Sequence, residues 1–355
     1  MTEETNHYGP TAAREHGRPG RETRPASITI DMHSHVAVPA AAAFVNPHVD
    51  PALVPLVHFS TANTGALNAK QNHDRTPNMT DIAVRLADMD AAGIDVQVIM
   101  PPPPQCTYTV PLAIGVQAAR MVNDGLATFA AQDPKRFVAL GTVPMQDGQA
   151  AADELDRAMS ELGMKGVQIL TNVNGNELSD PSLAPFWAKA EALGAVVLLH
   201  PNGFTEGRRM TRNYFNNVIG NPLETTMALH YLIFDGVLER HPGLKIIAVH
   251  GGGYLASYSG RIDHAWGARS DVRVDLPHPP TTYLKRVFFD TVVFTPHQLR
   301  SLVDTFGTAK IMMGTDYPYD MAEADPIEHV MGAGLDAASV AAIVGGNAKV
   351  LFGIE

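Results

Sequence analysis

Two histidines separated by one residue, His33 and His35, lie in the stretch Asp31–His35, which follows the apolar run Ser27–Ile30, and we predict that run to be a short buried β-strand. In an extended backbone, side chains at positions i and i+2 point to the same side. The two imidazoles can therefore aim at one point, and imidazole is a common ligand of zinc and similar metals. Asp31 lies on the same side, as a further ligand or as a partner for one. Alone, this pattern is weak evidence for a metal site.

Three more polar residues stand at the ends of apolar runs elsewhere in the sequence. His200 and His250 each end such a run, and Asp316 follows a third one. A single residue in such a place is usually a buried hydrogen-bonding group or a helix cap. Five together, all at predicted strand ends, indicate one shared site. Three imidazoles and a carboxylate suit zinc and leave room for a water molecule.

Strand-like runs alternate with helical patterns along the chain. This alternation is typical of parallel β-α-β units, and eight repeats predict an α/β fold of the (β/α)8 TIM barrel type. All strands of such a barrel end at one face, where active sites lie, so the five residues would meet there. The alternative fold is a doubly wound open sheet. It explains less well why these polar residues would lie at one place. The predicted strands are Ser27–Ile30, Ile94–Met100, Phe137–Val143, Gly166–Leu170, Ala195–His200, Leu244–His250, Arg286–Val292 and Lys310–Gly314.

Helices are predicted between these strands and after the last one. Most of them end at a glycine, which is a common helix stop. The predicted helices are Asp81–Gly93, Ile114–Gln132, Gln149–Leu162, Pro181–Leu193, Pro222–Arg240, one that begins at Tyr254, Pro296–Phe306, Pro326–Ala333 and Ala337–Leu351.

Two segments fall outside the repeating pattern. Residues 1–26 are polar, rich in Gly, Pro and charge, and lack the apolar core of a secretory signal, so we predict a disordered N-terminal tail. Val36–Thr80 shows little periodicity, and we expect an irregular inserted segment or lid above the active face. Residues 27–355 are then one barrel domain.

Composition narrows the function further. The 355 residues carry a net charge of −11, and no Lys/Arg-rich run indicates nucleic-acid binding. No apolar stretch is long enough to cross a membrane. The single cysteine, Cys106, excludes an intrachain disulfide framework and fits a reducing compartment. We therefore expect a cytoplasmic protein that acts on a small molecule.

Several motifs resemble the amidohydrolase superfamily, and within it the branch of 2-amino-3-carboxymuconate-6-semialdehyde decarboxylase. The resemblance extends over nearly the whole chain beyond the predicted tail, and the motifs together are specific to the branch. They are Asp31–His35, Arg85–Asp90, Asp95–Val98, Arg136-Phe137, Val143–Gln146, Gly166–Ile169, His200-Pro201, Asn221–Thr225, His250–Gly253, Gly260–Asp263 and Gly314–Pro318.

The resemblance implies a metal centre with a proton-transfer group beside it. Zinc is the implied metal, because related decarboxylases that carry manganese have a glutamate at the first motif position, where this chain has a histidine. Manganese is the alternative. His250 is implied to activate water at the metal and to move a proton, and Asp316 is both a ligand and a catalytic residue. The implied metal ligands are His33, His35, His200 and Asp316.

The resemblance also implies arginines that hold the carboxylates of the substrate. Arg261 and Arg269 stand at matching positions, and Arg261 is implied to reach the site of a neighbouring subunit in a homodimer. A further arginine of the family precedes the first barrel helix, where Arg75 and His73 are the candidates. The family usually has a tryptophan after His-Pro, whereas this chain has Asn202, which we expect to contact substrate.

These features predict a metal-dependent, non-oxidative decarboxylase of a small unsaturated or aromatic acid, similar to aminocarboxymuconate semialdehyde or to hydroxybenzoate. Loss of CO2 leaves a carbanion unless a proton or an electron sink is supplied, and a metal and a histidine can supply them. The alternative is a hydrolase or hydratase of a lactone, amide or unsaturated acid that uses the same groups. A non-catalytic metal-binding protein is disfavoured, because His250 would be a fifth group beside an already complete ligand set.

Overall fold

The fold comes from a computed structural model that describes residues 20–273 and 275–354. Eight parallel strands run in chain order, in two sheets with the orders β1-β2-β3 and β4-β5-β6-β7-β8. Isolated parallel bridges, Gly141 with Val167 and Ser34 with Tyr317, lie between the edges of the two sheets, in the strand order of a (β/α)8 fold. The strands are β1 Ile30–His35, β2 Val96–Met100, β3 Phe137–Ala139, β4 Gly166–Leu170, β5 Val196–His200, β6 Lys245–Ala248, β7 Phe288–Asp290 and β8 Ile311–Met312.

Helices connect consecutive strands and cover the outside of the sheets. A short antiparallel hairpin, Asn172–Val173 with Asn176–Glu177, follows β4. Among the described residues no helix is both long and apolar enough to cross a membrane. The α-helices between strands or after them are Ile82–Ala92, Leu112–Ala130, Gly148–Ser160, Ala184–Leu193, Phe215–Val218, Gly220–Phe234, Val237–Arg240, Leu255–Tyr258, Gly260–Ala268, Ser270–Arg273, Pro280–Leu284, Pro296–Phe306, Pro326–Met331, Ala337–Ala341 and Asn347–Phe352, with a π-helical turn at Ala342–Gly346.

The strands are buried on both faces, which explains why their sequences are continuous apolar runs rather than alternating ones. Side chains such as Met32, Val98, Leu198 and Ile247 form one buried cluster. A larger cluster, which includes Ile99 and Val197 from the same strands, packs with the surrounding helices. Neighbouring residues of a strand therefore belong to different layers, and the strands are held rigidly from both sides.

The insertion between β1 and β2 differs from the expectation. It is helical rather than irregular, with α-helices at Pro39–Val45, Pro55–His58, Ala62–Asp74 and Thr76–Thr80 and short 3-10 turns at Asn46–His48 and Pro51–Leu53. The helix Ala62–Asp74 begins with the Thr61 hydroxyl accepting from the Thr64 N–H. The segment was predicted to be irregular because its helices are short and carry few apolar residues at regular spacing.

Two boundaries also need correction. The first strand begins at Ile30 and contains the His-x-His motif, whereas the sequence placed the strand before the motif. The helical turn Gly20–Thr23 packs on the barrel, because the Gly20 N–H donates to the Asp325 carboxylate at 3.1 Å. The packed region therefore begins by Gly20 and not at residue 27. The rest of the predicted tail lies outside the described residues.

Candidate metal centre

The ends of four strands bring five predicted site residues together. His33 and His35 are on β1, His200 ends β5, and His250 and Asp316 follow β6 and β8. The carboxylate of Asp316 is central: its Oδ1 lies 2.9 Å from His35 Nε2, 3.3 Å from His33 Nε2 and 3.7 Å from His200 Nε2. Its Oδ2 lies 3.5 Å from His250 Nε2.

In each of the three predicted histidine ligands, the ring nitrogen Nδ1, on the side away from Asp316, is held by a hydrogen bond. His35 Nδ1 lies 2.9 Å from the Pro101 carbonyl, and His200 Nδ1 lies 2.7 Å from the Pro201 carbonyl. A carbonyl can only accept, so each Nδ1 carries a proton and donates it. In the neutral rings Nε2 then carries a lone pair directed at Asp316. This is the arrangement that metal-ligating histidines adopt in proteins.

Asp290 holds the ring of His33 in the same way, through Nδ1. It was not among the predicted site residues. It ends β7, is fully buried, and its Oδ2 lies 2.8 Å from His33 Nδ1. Its Oδ1 accepts from the N–H of Gly251 at 2.8 Å, next to His250. One carboxylate thus supports both a predicted ligand and the loop that carries the predicted proton-transfer residue.

The protonation states favoured at His35, His200 and Asp316 are those that ligation needs, whereas the state favoured at His33 is not. Burial lowers the pKa of His200 to about 3 and also lowers the pKa of His35. Burial alone would raise the pKa of Asp316, but the imidazoles around it, His33 first, hold that pKa well below its usual range. For His33, burial opposes protonation, but the Asp316 and Asp290 carboxylates raise its pKa above the ordinary value.

Neutral His35 and His200 and an ionised Asp316 present lone pairs to one another at close range. Such groups repel unless a cation lies between them. The Nε2 atoms of His33 and His200 are buried and have no hydrogen-bond partner among the described residues. The ligand atoms of His33, His200, His250 and Asp316 lie within 4.8 Å of one another, a set that contains His250 in place of the predicted ligand His35. The donor set therefore fits a divalent metal ion of the zinc or manganese type.

His250 differs from the other three histidines. Its buried Nδ1 has no hydrogen-bond partner in the described part of the chain, so neither tautomer is locked. Its backbone has a φ of +56°, and that of Asp316 has a φ of +64°. Non-glycine residues rarely adopt this conformation, and they do so mainly where the surrounding structure imposes it. A ring free to change its protonated nitrogen is better suited to moving a proton than to holding a metal.

Asp31 does not face the cluster of ligand atoms. Its carboxylate accepts from the backbone N–H groups of His33 and Thr315, from the Thr315 hydroxyl and from the Gln97 amide, at 2.7–3.1 Å. Asp31 was expected to be either a further metal ligand or a partner of a ligand, and the geometry supports the second role. It ties the strand that carries His33 to the residue before Asp316.

The predicted substrate-binding residues are placed differently from one another. Arg75 is 9% exposed, and its guanidinium stacks over the Tyr319 ring at 5.1 Å, while Tyr319 in turn contacts the His35 ring. His73, the other candidate, is exposed. Asn202 is half-buried and lines a cavity beside the site.

Arg261 and Arg269 are both exposed. Arg269 forms a bidentate ion pair with Asp271 at 2.7–2.9 Å. Among the described residues no hydrogen bond or ion pair links either arginine to the histidine cluster. Within one chain the structure therefore does not bring these two residues to the site.

Comparison with known proteins agrees with this geometry. A family model described as amidohydrolase matches residues 30–354. A 2-amino-3-carboxymuconate-6-semialdehyde decarboxylase from Dictyostelium discoideum is 32% identical over 334 residues, which cover 93% of this chain and 92% of that protein. The chain therefore belongs to the amidohydrolase superfamily. Within the superfamily it falls in the branch of decarboxylases related to this enzyme.

Two solved structures show the same fold. The 5-carboxyvanillate decarboxylase from Sphingomonas paucimobilis has a TM-score of 0.83 at 25% identity, covering 93% of this chain and all of that one. A dihydroxybenzoic acid decarboxylase from Polaromonas, solved with bound manganese and an inhibitor, has a TM-score of 0.78 at 24% identity, covering 92% and 97%.

Proposed function

We propose that this protein is a metal-dependent, non-oxidative decarboxylase of a small aromatic or unsaturated carboxylic acid. One observation carries the proposal: buried imidazole lone pairs converge on the Asp316 carboxylate, with an unlocked histidine beside them. His33, His35, His200 and Asp316 would hold the metal. Zinc is our first choice, and the Polaromonas structure with bound manganese supports that metal as the alternative.

The metal would supply a Lewis acid that polarises a substrate oxygen near the leaving carboxylate. The residues of the chain do the rest. Gln71 accepts from Nε and one terminal nitrogen of Arg75, and the remaining N–H groups of this guanidinium orient a carboxylate. His250 delivers a proton to the carbon that bears the leaving carboxylate. A C–H bond forms there, the C–C bond to the carboxylate breaks, and its electron pair remains with the ring or chain as CO2 leaves. Asp316 keeps His250 in place through Oδ2.

We propose a homodimer in which Arg261 reaches the site of the neighbouring subunit. Two exposed aromatic side chains just before it support this proposal, Tyr254 at 43% and Tyr258 at 67% exposure. Large exposed aromatic side chains are typical of protein interfaces. Arg269 would contact substrate only after releasing Asp271. We also expect the protein in the cytoplasm, where the buried thiol of Cys106 stays reduced.

The test uses purified protein loaded with zinc or with manganese. Freshly generated aminocarboxymuconate semialdehyde and a panel of hydroxybenzoic and carboxymuconic acids are added, and CO2 release and product mass are followed. Loss of CO2 from any of these acids supports the proposal. A product heavier by one water molecule, without CO2, would instead establish the hydrolase or hydratase reading and assign His250 as the base for water attack.

A further inference from the structure

Two adjoining cavities lie beside the metal centre. The Arg75 cavity, of about 400 Å3, is lined by Arg75 and Tyr319 and otherwise by largely apolar residues. The Thr171 cavity, of about 490 Å3, is enclosed by the insertion and by the loops after β2, β4 and β5, and Thr171, Asn202 and Tyr108 line it. The two share wall residues such as Val49 and Thr107. A molecule that lies across this wall can reach both.

The Thr171 cavity is also connected to the metal centre. Cys106 lies in its wall and contacts the Gln168 amide at 3.4 Å. The same amide donates to the Pro101 carbonyl, which also accepts from His35 Nδ1. Asn202 stands two residues after His200. The wall of the cavity is therefore linked to His35 through Gln168 and Pro101 and lies two residues from His200, while neither ligand lines the cavity itself.

Two hydrogen-bonding groups in the Thr171 cavity lack partners. Thr171 is 1% exposed, and its hydroxyl has no hydrogen-bond partner in the described part of the chain. The amide of Asn202 forms no side-chain hydrogen bond to any described residue. A buried hydroxyl without a partner costs about 1–3 kcal/mol, so native structures rarely leave one unless a ligand or water completes it.

The charge of the two cavities differs. Arg75 is the sole charged residue that lines the first cavity, and it suits a carboxylate. Among the described residues no lysine or arginine lines the second, and the one histidine in its lining, His58, is exposed. Glu206 lines it instead, and the Glu224 carboxylate binds two more of its lining residues, Asn172 at 2.6 Å and the Thr205 N–H at 3.2 Å. The Glu206 carboxylate and the absence of a lining lysine or arginine disfavour a second anionic group, and the buried Glu224 adds no positive charge to offset them.

We propose that the Thr171 cavity binds the end of the substrate away from the leaving carboxylate and selects a neutral hydroxyl or methoxy substituent over a second carboxylate. The substrate class is then a hydroxylated or methoxylated aromatic monocarboxylic acid, with its carboxylate toward Arg75 and the metal. This inference rests on the proposed function, since it concerns the same site.

The test compares matched substrates on the metal-loaded protein. The probes are 2-hydroxybenzoate, the same acid with a methoxy group at ring position 3, 4 or 5, and the same acid with a second carboxylate at those positions. The best methoxy compound should have a kcat/KM at least about tenfold higher than the dicarboxylate substituted at the same position. A factor of this size corresponds to one good hydrogen bond together with the absence of charge repulsion. Equal rates, or faster turnover of the dicarboxylate, would overturn the inference.

Variants locate the effect. Thr171→Val removes the hydroxyl while keeping the shape, and should raise KM for the methoxy compound about five- to tenfold more than KM for the unsubstituted acid. Asn202→Ala should act in the same direction. Thr128→Val, on the exposed face of a distant helix, is the matched control. An equal effect of Thr171→Val on substituted and unsubstituted acids would show a merely structural role and overturn the assignment.

A binding measurement separates this inference from the proposed function. If no acid of the panel loses CO2, the proposed function fails. Calorimetric titration with 2-methoxyphenol and with phenol still tests the cavity, since neither requires turnover. The wild type should bind 2-methoxyphenol more tightly than phenol, and Thr171→Val should abolish the difference. The same preference in both proteins would exclude Thr171 as the selecting group.

Discussion

The floor and the roof of the site are built in different ways. The floor consists of the ends of β1, β5 and β7, where His33, His35 and His200 are at most 3% exposed and have Nδ1 fixed by a carbonyl or a carboxylate. The roof consists of the insertion and the loop after β5. It exposes apolar side chains, such as Val57 at 54% and Phe215 at 38%.

This difference separates the chemistry from the choice of substrate. The strands are packed on both faces, so residues at their ends have little freedom to move. The geometry of the predicted ligands is therefore preorganised. Loops above the barrel can change their length and sequence without disturbing those strands. The reaction should therefore depend on the floor, while substrate affinity should depend on the roof. Substitutions in each region test this separation.

The largest effect is expected for His250→Asn. The variant should keep its metal, because the four predicted ligands are untouched, and should lose about 10²–10⁴-fold in kcat, the usual contribution of a positioned acid or base. Steady-state kinetics together with metal analysis of the purified variant measure both. His264→Asn, an exposed histidine on a neighbouring helix, is the control. Full activity of His250→Asn would remove this residue from the mechanism.

A smaller but still large effect is expected for Asp290→Asn. The amide keeps one acceptor and turns its NH2 group toward either His33 Nδ1–H or the Gly251 N–H, so one of the two hydrogen bonds is lost. Loss of such a supporting group typically costs 10–100-fold in metal affinity. Titration with zinc against a competing chelator measures this. Asp304→Asn, on the outer helix Pro296–Phe306, should bind zinc as the wild type does.

An unchanged zinc affinity in Asp290→Asn would mean that the floor does not depend on this carboxylate. The rigidity would then come from strand packing alone. A loss of affinity with unchanged kcat at saturating metal would instead limit Asp290 to holding His33, with no effect on the loop that carries His250.

Asp290 also shows where sequence reasoning stops. The alternation of strands and helices was enough to predict the (β/α)8 fold, and the strand-end rule found His200, His250 and Asp316. The same rule applies to Asp290, which ends β7. It was missed because strand seven was predicted to extend to Val292, which placed Asp290 inside the strand. Local propensities define such boundaries poorly, since tertiary packing decides where pairing ends.

The roof could not be predicted for a different reason. Its helices are short, and the helix Ala62–Asp74 buries one side chain fully, that of Gln71, so no apolar periodicity marks it. The preference between Arg75 and His73 depends on how this insertion folds back over the barrel. The placement of Arg261 in a neighbouring site depends on a second subunit, which the sequence of one chain does not position.

A third prediction concerns a pH dependence in the roof. Burial raises the pKa of Glu224 from 4.5 to about 7, and Glu177 and Glu206 add to the rise against the hydrogen bonds from Thr205 and Asn172. The folded protein then binds this proton more tightly than the unfolded chain does. The protonated Glu224 side chain therefore contributes to the free energy of unfolding in full below about pH 4.5, and this contribution is lost as the pH rises through 7.

Glu224→Gln should remove this dependence. Between pH 5 and pH 8 the wild type should lose roughly 2–3 kcal/mol of free energy of unfolding that the variant does not lose. This magnitude follows from the size of the pKa shift. Urea unfolding at several pH values measures the difference. Glu161→Gln, at an exposed position on another helix end, is the control. Parallel curves for Glu224→Gln and the wild type would contradict the buried, ionisable role of Glu224.

The smallest effect is expected for Asn216→Ala, and it tests the separation most directly. Asn216 is 3% exposed, its Oδ1 accepts from the Phe204 N–H at 2.9 Å, and its Nδ2 donates to the Pro55 carbonyl at 2.8 Å. It therefore fastens the loop after β5 to the insertion. Its loss should cost about 1–2 kcal/mol of stability, because two backbone groups lose their partner.

Asn216→Ala should also raise KM severalfold while kcat changes by less than about twofold, since a looser roof must be ordered by the substrate when it binds. Zinc affinity should stay at the wild-type value, because Asn216 contacts neither a predicted ligand nor the Pro201 carbonyl that holds His200. Asn217→Ala, at the next position, should leave KM unchanged. A fall in zinc affinity in Asn216→Ala would show that the roof also holds the metal centre, and the two regions would then have to be treated as one unit.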